Sequence, residues 1–485
     1  MALEFKTCSP ENAGIKSENI VRYINELSGR GVCLHSAALF RGGKLIAEGY
    51  EKHYSADSVN RMYSVSKSFV SAAVGCLIGE GKLSLDTKVC EHFKDKYEGR
   101  QLHPYIAEAT VRDLLMMATP FDCTTYSTED EDWVYTFFNT EPSHRAGRVF
   151  NYDTSATLVL DALVERITGL DFTVYLYEKV LKYIGFERAP QCVREPGGVQ
   201  WGGSGVLCTL RELAAFALLF RNAGRSPAGE QLIPEWYIKE AVTQQICNEE
   251  SNNYACYKSC GYGYQVWMIP FGWAFFGMGN QLAIYSEEKE VLFVCTSDDQ
   301  GNGFAREFIF ELLEKYILDE CEDASCEGGD ALEIAPFPDF PLPYASCPCE
   351  HCLSFSGKEF SLLPNAHGFE KMTFTVYGNE GEMRFTRCGE EKLLRFGIGH
   401  YVDGVFPEIY SGSTINTPSE SGYRCTAAAV WAEKDKLVLR CYLIDNYLGN
   451  FTANISFKDG GLDIRFTKTA EWFLNEYTGY LSSAD

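Results

Sequence analysis

Met62-Tyr63-Ser64-Val65-Ser66-Lys67-Ser68-Phe69 runs without a break into the apolar segment 70–78, and its reading decides the fold. The composition of the segment predicts a helix that opens at the serines. At about 100° per residue, positions i and i+3 share one helical face, so Lys67 reaches the Ser64 hydroxyl. The positive end of the helix dipole lies under Ser64 and favours negative charge developing there. Serine is a weak nucleophile until a base stands beside it, and a desolvated lysine serves as one. The pattern therefore points to acyl transfer through a serine.

Ser-x-x-Lys occurs a second time, at Ser286-Glu287-Glu288-Lys289. That copy lies between two apolar runs, 281–285 and 291–295, and reads as a solvated hairpin turn. The first copy instead follows a polar loop and opens an Ala-, Val- and Phe-rich helix that ends near Gly79 and Gly81.

The chain has 485 residues, more than one typical domain, and 46% hydrophobic content supports sizeable cores. A net charge of −24 argues against nucleic acid or an anionic membrane surface as a partner. No apolar run reaches the ~18–20 residues of a spanning helix, and Met1-Ala2-Leu3-Glu4-Phe5-Lys6 lacks a signal-peptide apolar region. A cytoplasmic location is expected. The 19 cysteines are then expected as reduced thiols, many in apolar segments (Cys33, Cys76, Cys208, Cys295, Cys441). Cys347-Pro348-Cys349-Glu350-His351-Cys352 has metal-ligand spacing, but no second ligand pair of regular spacing follows, so unpaired surface thiols are the default.

Residues 36–49 alternate around Gly42-Gly43 as a hairpin. From about 104 to 250 the signal is mainly helical, with amphipathic runs at 111–117, 155–168, 209–223 and 236–245. Strand signals return at 261–269, 273–276, 281–285 and 291–296, and a helix at 305–318 closes the region. Strands from both ends with a helical insertion predict one α/β (α+β) domain over 1–320, an antiparallel sheet flanked by helices plus a helical lobe. Residues 321–344 hold acidic residues, Gly328-Gly329 and Pro336, Pro338, Pro341 and Pro343, and read as a linker. From 345 to 485, short alternating runs (371–377, 382–387, 436–444, 462–466) predict an antiparallel all-β domain, a small barrel or closed sheet.

A Ser/Lys pair needs a third group to pass the proton to the leaving group. Ala146-Gly147-Arg148-Val149-Phe150-Asn151-Tyr152-Asp153-Thr154-Ser155 supplies Tyr152 just before an amphipathic helix. Further landmarks stand in order: Ser9-Pro10-Glu11-Asn12-Ala13-Gly14, Gly79-Glu80-Gly81-Lys82-Leu83-Ser84-Leu85-Asp86, Thr110-Val111-Arg112-Asp113-Leu114-Leu115, Trp201-Gly202-Gly203-Ser204-Gly205 and Ile233-Pro234-Glu235-Trp236. Together with the Ser64 segment they resemble the β-lactamase-like, penicillin-recognising serine hydrolases of the class C and esterase type, over about residues 9 to 320. The family's usual Tyr-x-Asn reads Tyr152-Asp153-Thr154 here. Its Lys-Thr-Gly or His-x-Gly strand reads Phe275-Phe276-Gly277, followed by Met278. Phe275 cannot hold a substrate carboxylate as Lys or His does, which argues against β-lactam turnover. The tyrosine segment is similar to the 6-aminohexanoate-dimer hydrolase and esterase branch. The C-terminal β domain resembles lipocalin-like modules.

The resemblance implies Ser64 as nucleophile, Lys67 with Tyr152 as base and acid, and the backbone N–H groups of Ser64 and Met278 as oxyanion donors. Thr154, Phe275, Phe276 and Gly277 would line the substrate pocket. Trp267, Phe271 and Trp273 read equally as pocket aromatics or as core. No metal or organic cofactor is required. The expected partner is a small ester, amide or short peptide. The alternatives are a ligand-binding relative that kept the fold, and a D-amino-acid peptidase or β-lactamase. None of the eight histidines stands in a Ser-His-Asp context, there is no Gly-x-Ser-x-Gly elbow, and Glu129-Asp130-Glu131-Asp132 reads as a solvated loop.

Overall fold

Leu34-His35-Ser36-Ala37-Ala38-Leu39-Phe40-Arg41 forms a strand, β1 (Leu34–Arg41), that is buried at every position. A strand covered on both faces must be central in its sheet. It pairs antiparallel with β2 (Lys44–Tyr50) through a Gly42-Gly43 turn in which both glycines have positive φ. The computed structural model describes residues 3–127, 129–248, 257–258, 260–344, 353–407, 423–468 and 477–484. It divides into two compact units, the first holding the chain up to Ser297 with Phe304–Asp339, the second Asp298–Gly303 and most of the chain from Phe340 onward.

In the first unit, two short strands, β3 (Val59–Arg61) and β4 (Leu207–Thr209), pair with each other. The remaining strands β5 (Trp267–Ile269), β6 (Gly272–Gly277), β7 (Gln281–Ser286), β8 (Val291–Ser297) and β9 (Leu332–Glu333) complete a seven-stranded sheet ordered β5-β6-β7-β8-β1-β2-β9. Helix α1 (Ser17–Gly29) buries Ile20, Tyr23, Ile24 and Leu27, the i, i+3, i+4, i+7 stripe of an amphipathic helix. α2 (Ser66–Gly79) shows no such stripe, because all but its last two residues are buried.

Between β3 and β4 lie α3 (Pro104–Ala107), α4 (Val111–Leu115), α5 (Trp133–Asn139), α6 (Thr154–Thr168) and α7 (Phe172–Lys179). The β3–β4 ladder closes this insertion at its base. α8 (Leu210–Arg221) opens with a Thr209/Glu212 capping box. It was expected inside a lobe running to about 250, yet it packs on β1, β7 and β8. Its Phe216 and Phe220 meet Phe275 on β6, so the apolar stripe of α8 serves the sheet. α9 (Glu235–Ala241) follows, and α10 (Ala305–Leu313) packs with α1, whose Tyr23 hydroxyl donates to the Ile309 carbonyl at 3.0 Å. Ser286-Glu287-Glu288-Lys289 forms the turn between β7 and β8, as expected of a hairpin.

The segment read as a linker is docked. β9 pairs in parallel with β2, Asn12 donates to the Glu327 and Gly328 carbonyls, and Lys44 donates to that of Cys326. Backbone pairing at a sheet edge needs no side-chain periodicity, so it leaves no pattern in a proline- and acid-rich stretch.

The second unit is all β: β10 (Glu359–Ser361), β11 (Phe369–Tyr377), β12 (Glu380–Arg387), β13 (Glu390–Ile398), β14 (Val402–Val405), β15 (Arg424–Glu433), β16 (Lys436–Leu443), β17 (Asn450–Ser456), β18 (Asp463–Lys468) and β19 (Gly479–Ser482). Neighbours pair antiparallel except β13 with β15, and β14 pairs with β15. The chain leaving β10 meets the chain leaving β19, Leu363 N donating to Ser482 O at 2.9 Å and Ala484 N to Ser361 O at 2.8 Å. The sheet thus curls until its edges touch. Among the described residues every cysteine is a free thiol, and no helix is long and apolar enough to cross a membrane. Cys347, Cys349 and Cys352 lie outside the described residues.

Candidate active site

Ser64 stands in a short 3-10 turn, Tyr63–Val65, that feeds directly into α2. Tyr63 before it has φ +48°, a left-handed conformation that costs a non-glycine residue about 1–2 kcal/mol. Its ring is held by burial and by the Arg61 guanidinium 4.5 Å from the centroid. Ser64 itself is half-buried while Tyr63 and Val65 on either side are buried.

Lys67, the second residue of α2, is 1% exposed. Its Nζ lies 3.0 Å from Ser64 Oγ and donates to the Gly203 carbonyl at 2.7 Å. Burial destabilises the ammonium and brings its pKa down from 10.5 to about 7, against an opposing pull from the Asp153 carboxylate. Lys67 Nζ also sits 4.8 Å from the centroid of the Tyr152 ring, which stacks on Trp267 at 5.2 Å. Ser64, Lys67 and Tyr152, separated by up to 88 positions, are thus brought together.

Asp153 caps the N-terminus of α6, accepting from the Ser155 N–H at 2.8 Å and from the Thr119 hydroxyl at 2.8 Å. Its burial raises the carboxyl pKa, while those donors and Lys67 hold it down. Thr154, the first residue of α6, packs its methyl against Gly203, where an added Cβ would come within 2.5 Å.

The third-motif strand β6 meets the segment that leads into Ser64 through Gly277. A Cβ there would lie 2.3 Å from the Met62 carbonyl oxygen, so only glycine lets the strand come this close. Met278 follows in the β6–β7 turn. That turn is pinned by Gln281, which donates to the Met278 carbonyl at 3.2 Å and the Ser297 carbonyl at 2.6 Å. Phe276 is half-buried, 6.5 Å from Trp267, with the Arg306 guanidinium 4.7 Å from its ring centroid. Phe275 departs from the expectation that it lines the pocket. Strand alternation sends it with Trp273 into the core against Phe216 and Phe220, where it is 1% exposed. Trp267 is likewise buried and supports Tyr152.

Two groups were not singled out from the sequence. The Gly203 carbonyl is the acceptor that holds Lys67, and the Trp201–Gly205 glycine density was its only trace. Gln265 ties the floor together: its carbonyl accepts from Ser68, its side-chain oxygen from Thr157 at 2.7 Å, and its amide donates to the Leu114 and Leu115 carbonyls. The acidic run is peripheral; Asp132 caps α5 and pairs with Lys96.

A sequence model of the family described as Beta-lactamase matches residues 22–314. The chain belongs to the beta-lactamase family. Ser64, Lys67, Tyr152 and the β6 strand all fall within the segment matched to this beta-lactamase model. Among characterised proteins, the 6-aminohexanoate-dimer hydrolase of Paenarthrobacter ureafaciens is 26% identical over 219 residues, 42% of this chain and 56% of that protein, so the match spans little more than half the relative's length. Among solved structures, a putative 6-aminohexanoate-dimer hydrolase from Bacillus anthracis aligns over 61% of this chain and 80% of its own, with 18% identity and a TM-score of 0.49. An octameric penicillin-binding protein homologue from Pyrococcus abyssi aligns over 96% and 99%, with 15% identity and a TM-score of 0.47.

Proposed function

We propose that this protein is a serine hydrolase that cleaves an ester or amide bond of a small substrate through an acyl-enzyme on Ser64. The observation that carries the reading is Lys67 Nζ at 3.0 Å from Ser64 Oγ with its pKa near 7, so that the neutral amine is well populated at neutral pH. In this reading Lys67, assisted by Tyr152, accepts the Ser64 proton as Oγ bonds to the carbonyl carbon. The resulting oxyanion is held by the Ser64 and Met278 backbone N–H groups, each such donor worth about 10²–10³ in rate. Tyr152 passes a proton to the departing alcohol or amine, and water then releases the acyl group with the same base. Thr154, Phe276 and Gly277 form the pocket wall in this scheme.

The β6 strand offers no lysine or histidine beside Gly277, which supports a substrate without a carboxylate at that point. Similarity to a 6-aminohexanoate-dimer hydrolase supports a small substrate of the same broad class. The test is intact mass after exposure to a fluorophosphonate, run in parallel on wild type and Ser64→Ala. A single adduct absent from the variant is the expected result. No adduct on folded wild type would overturn the reading in favour of a ligand-binding relative.

A further inference from the structure

Asp161 is a carboxylic acid in the middle of α6 with no exposed surface. Burying a carboxyl among apolar helices is unfavourable unless it makes a hydrogen bond that matters. Here Oδ2 accepts from the Gly202 N–H at 3.0 Å, and Oδ1 has no partner among the described protein groups. Burial, with the carboxylates of Glu165 and Asp171 nearby, pushes the carboxyl pKa well above its ordinary value, while the Gly202 N–H and Arg194 pull it down.

Its place on the helix explains what the bond does. Asp161 is seven residues after Thr154, two turns along the same face. That face and Val70 of α2 grip the 201–205 loop from two sides. A Cβ on Gly202 would come within 2.5 Å of Val70 and 2.8 Å of Asp161 Oδ2, and one on Gly203 within 2.5 Å of Thr154. The loop's other ties are distributed around it: Trp201 N donates to Val193 O, and Arg61 donates to Ser204 O at 2.8 Å. Two consecutive glycines have wide conformational freedom, so the peptide carrying the Gly203 carbonyl needs an anchor on its N-terminal side. Ser204 N and Gly205 N close the turn on the Trp201 carbonyl, the Asp161–Gly202 bond ties the turn to α6, and the Gly203 carbonyl is what Lys67 Nζ is held against at 2.7 Å.

We infer that Asp161 is a positioning residue, whose carboxyl fixes the Gly202 amide and thereby keeps the Gly203 carbonyl, and through it Lys67, aimed at Ser64. The inference deepens the serine-hydrolase reading and rests on it. Asparagine keeps an oxygen acceptor in the same place, whereas leucine fills the volume without one.

The experiment compares Asp161→Asn and Asp161→Leu with wild type, using kcat per titrated active site and KM on an ester substrate, and hydrogen exchange of the peptide covering Gly202. A misplacement of about 1 Å costs on the order of 10² in rate. Asp161→Leu is therefore expected to lose about 10² in kcat per active site with KM within about threefold, and to lose protection at Gly202, while Asp161→Asn stays within about threefold on both. A merely structural role would change the fraction of active protein and leave kcat per site alone. Wild-type kcat in Asp161→Leu, or an Asp161→Asn variant as impaired as Asp161→Leu, overturns the inference. If Asp161→Leu fails to fold, Asp161→Ala takes its place with the same criteria. Should wild type take no fluorophosphonate, the serine-hydrolase reading fails by itself, and the exchange data still decide whether Asp161 anchors the loop: unchanged protection in the leucine variant refutes it.

Discussion

Replacing Lys67 by methionine should stabilise the fold in acid while abolishing acylation. In the wild type the buried ammonium has been brought from an ordinary 10.5 to about 7. At about 1.4 kcal/mol per factor of ten, the displacement corresponds to roughly 5 kcal/mol. The sign follows from proton counts. Between pH 7 and 10.5 the unfolded chain holds the Lys67 proton and the folded chain does not, so wild-type stability rises with pH across this window. Below pH 7 both states are protonated and the full penalty applies. At pH 9 about 2 kcal/mol of it remains. Methionine removes the penalty but leaves the Gly203 carbonyl without its donor, a loss of about 1–3 kcal/mol that does not vary with pH. The net expectation at pH 6 is a gain of about 2–4 kcal/mol for Lys67→Met, with the gap between variant and wild type closing by about 3 kcal/mol by pH 9. Denaturant unfolding of both proteins at the two pH values, followed by tryptophan fluorescence, measures it. A variant destabilised equally at pH 6 and pH 9 would refute the claim that Lys67 is held as a destabilised ammonium, and the general-base assignment would go with it.

The same titration should shape the rate: kcat/KM is expected to fall below a pKa of about 7 as Lys67 takes up its proton, and a profile flat from pH 5.5 to 8.5 would count against Lys67 as base. Tyr152→Phe keeps the ring that stacks on Trp267 and faces Lys67 Nζ, so the fold should stand while kcat drops about 10²–10⁴-fold; an unaffected kcat would remove Tyr152 from proton transfer. Gly277→Ala puts a methyl 2.3 Å from the Met62 carbonyl, and the strand must retreat from Ser64, with kcat expected to fall at least tenfold and thermal stability with it. Wild-type kinetics in that variant would show that Met278 does not supply an oxyanion donor.

What the sequence disclosed and what it withheld divide along a physical line. The Ser64–Lys67 pair, the β1–β2 hairpin, the β6-β7-β8 run and the all-β second unit were legible because each rests on side-chain periodicity or on a residue type used for its chemistry. Phe275 was misplaced because a motif fixes position along a strand and not which way each side chain points. One alternation step decides between pocket and core, and the aromatic stripe of α8 settles it here. β9 was hidden since a parallel edge pair asks only for backbone amides. The Gly203 carbonyl was hidden for the same reason, as every residue carries a carbonyl and none advertises its use.

That last case bears on how Lys67 would work as the proposed base. In that proposed role Lys67 needs two things at once: burial, to release its proton near neutrality, and a fixed direction, so that the lone pair of the neutral amine meets Ser64. Charged partners would supply direction but undo the first condition, because each carboxylate nearby raises the lysine pKa. Asp153 already does so in part, and its charge is spread over Ser155 and Thr119 donors. A backbone carbonyl carries no net charge, so it orients the amine with little cost to the depressed pKa. Placing that carbonyl on a glycine pair lets it approach closely, and the buried Asp161 carboxyl, whose pKa burial raises, ties the Gly202 amide of that pair. Glycine-rich loop, uncharged acceptor and buried acid are therefore parts of one solution to keeping a lysine both neutral and aimed.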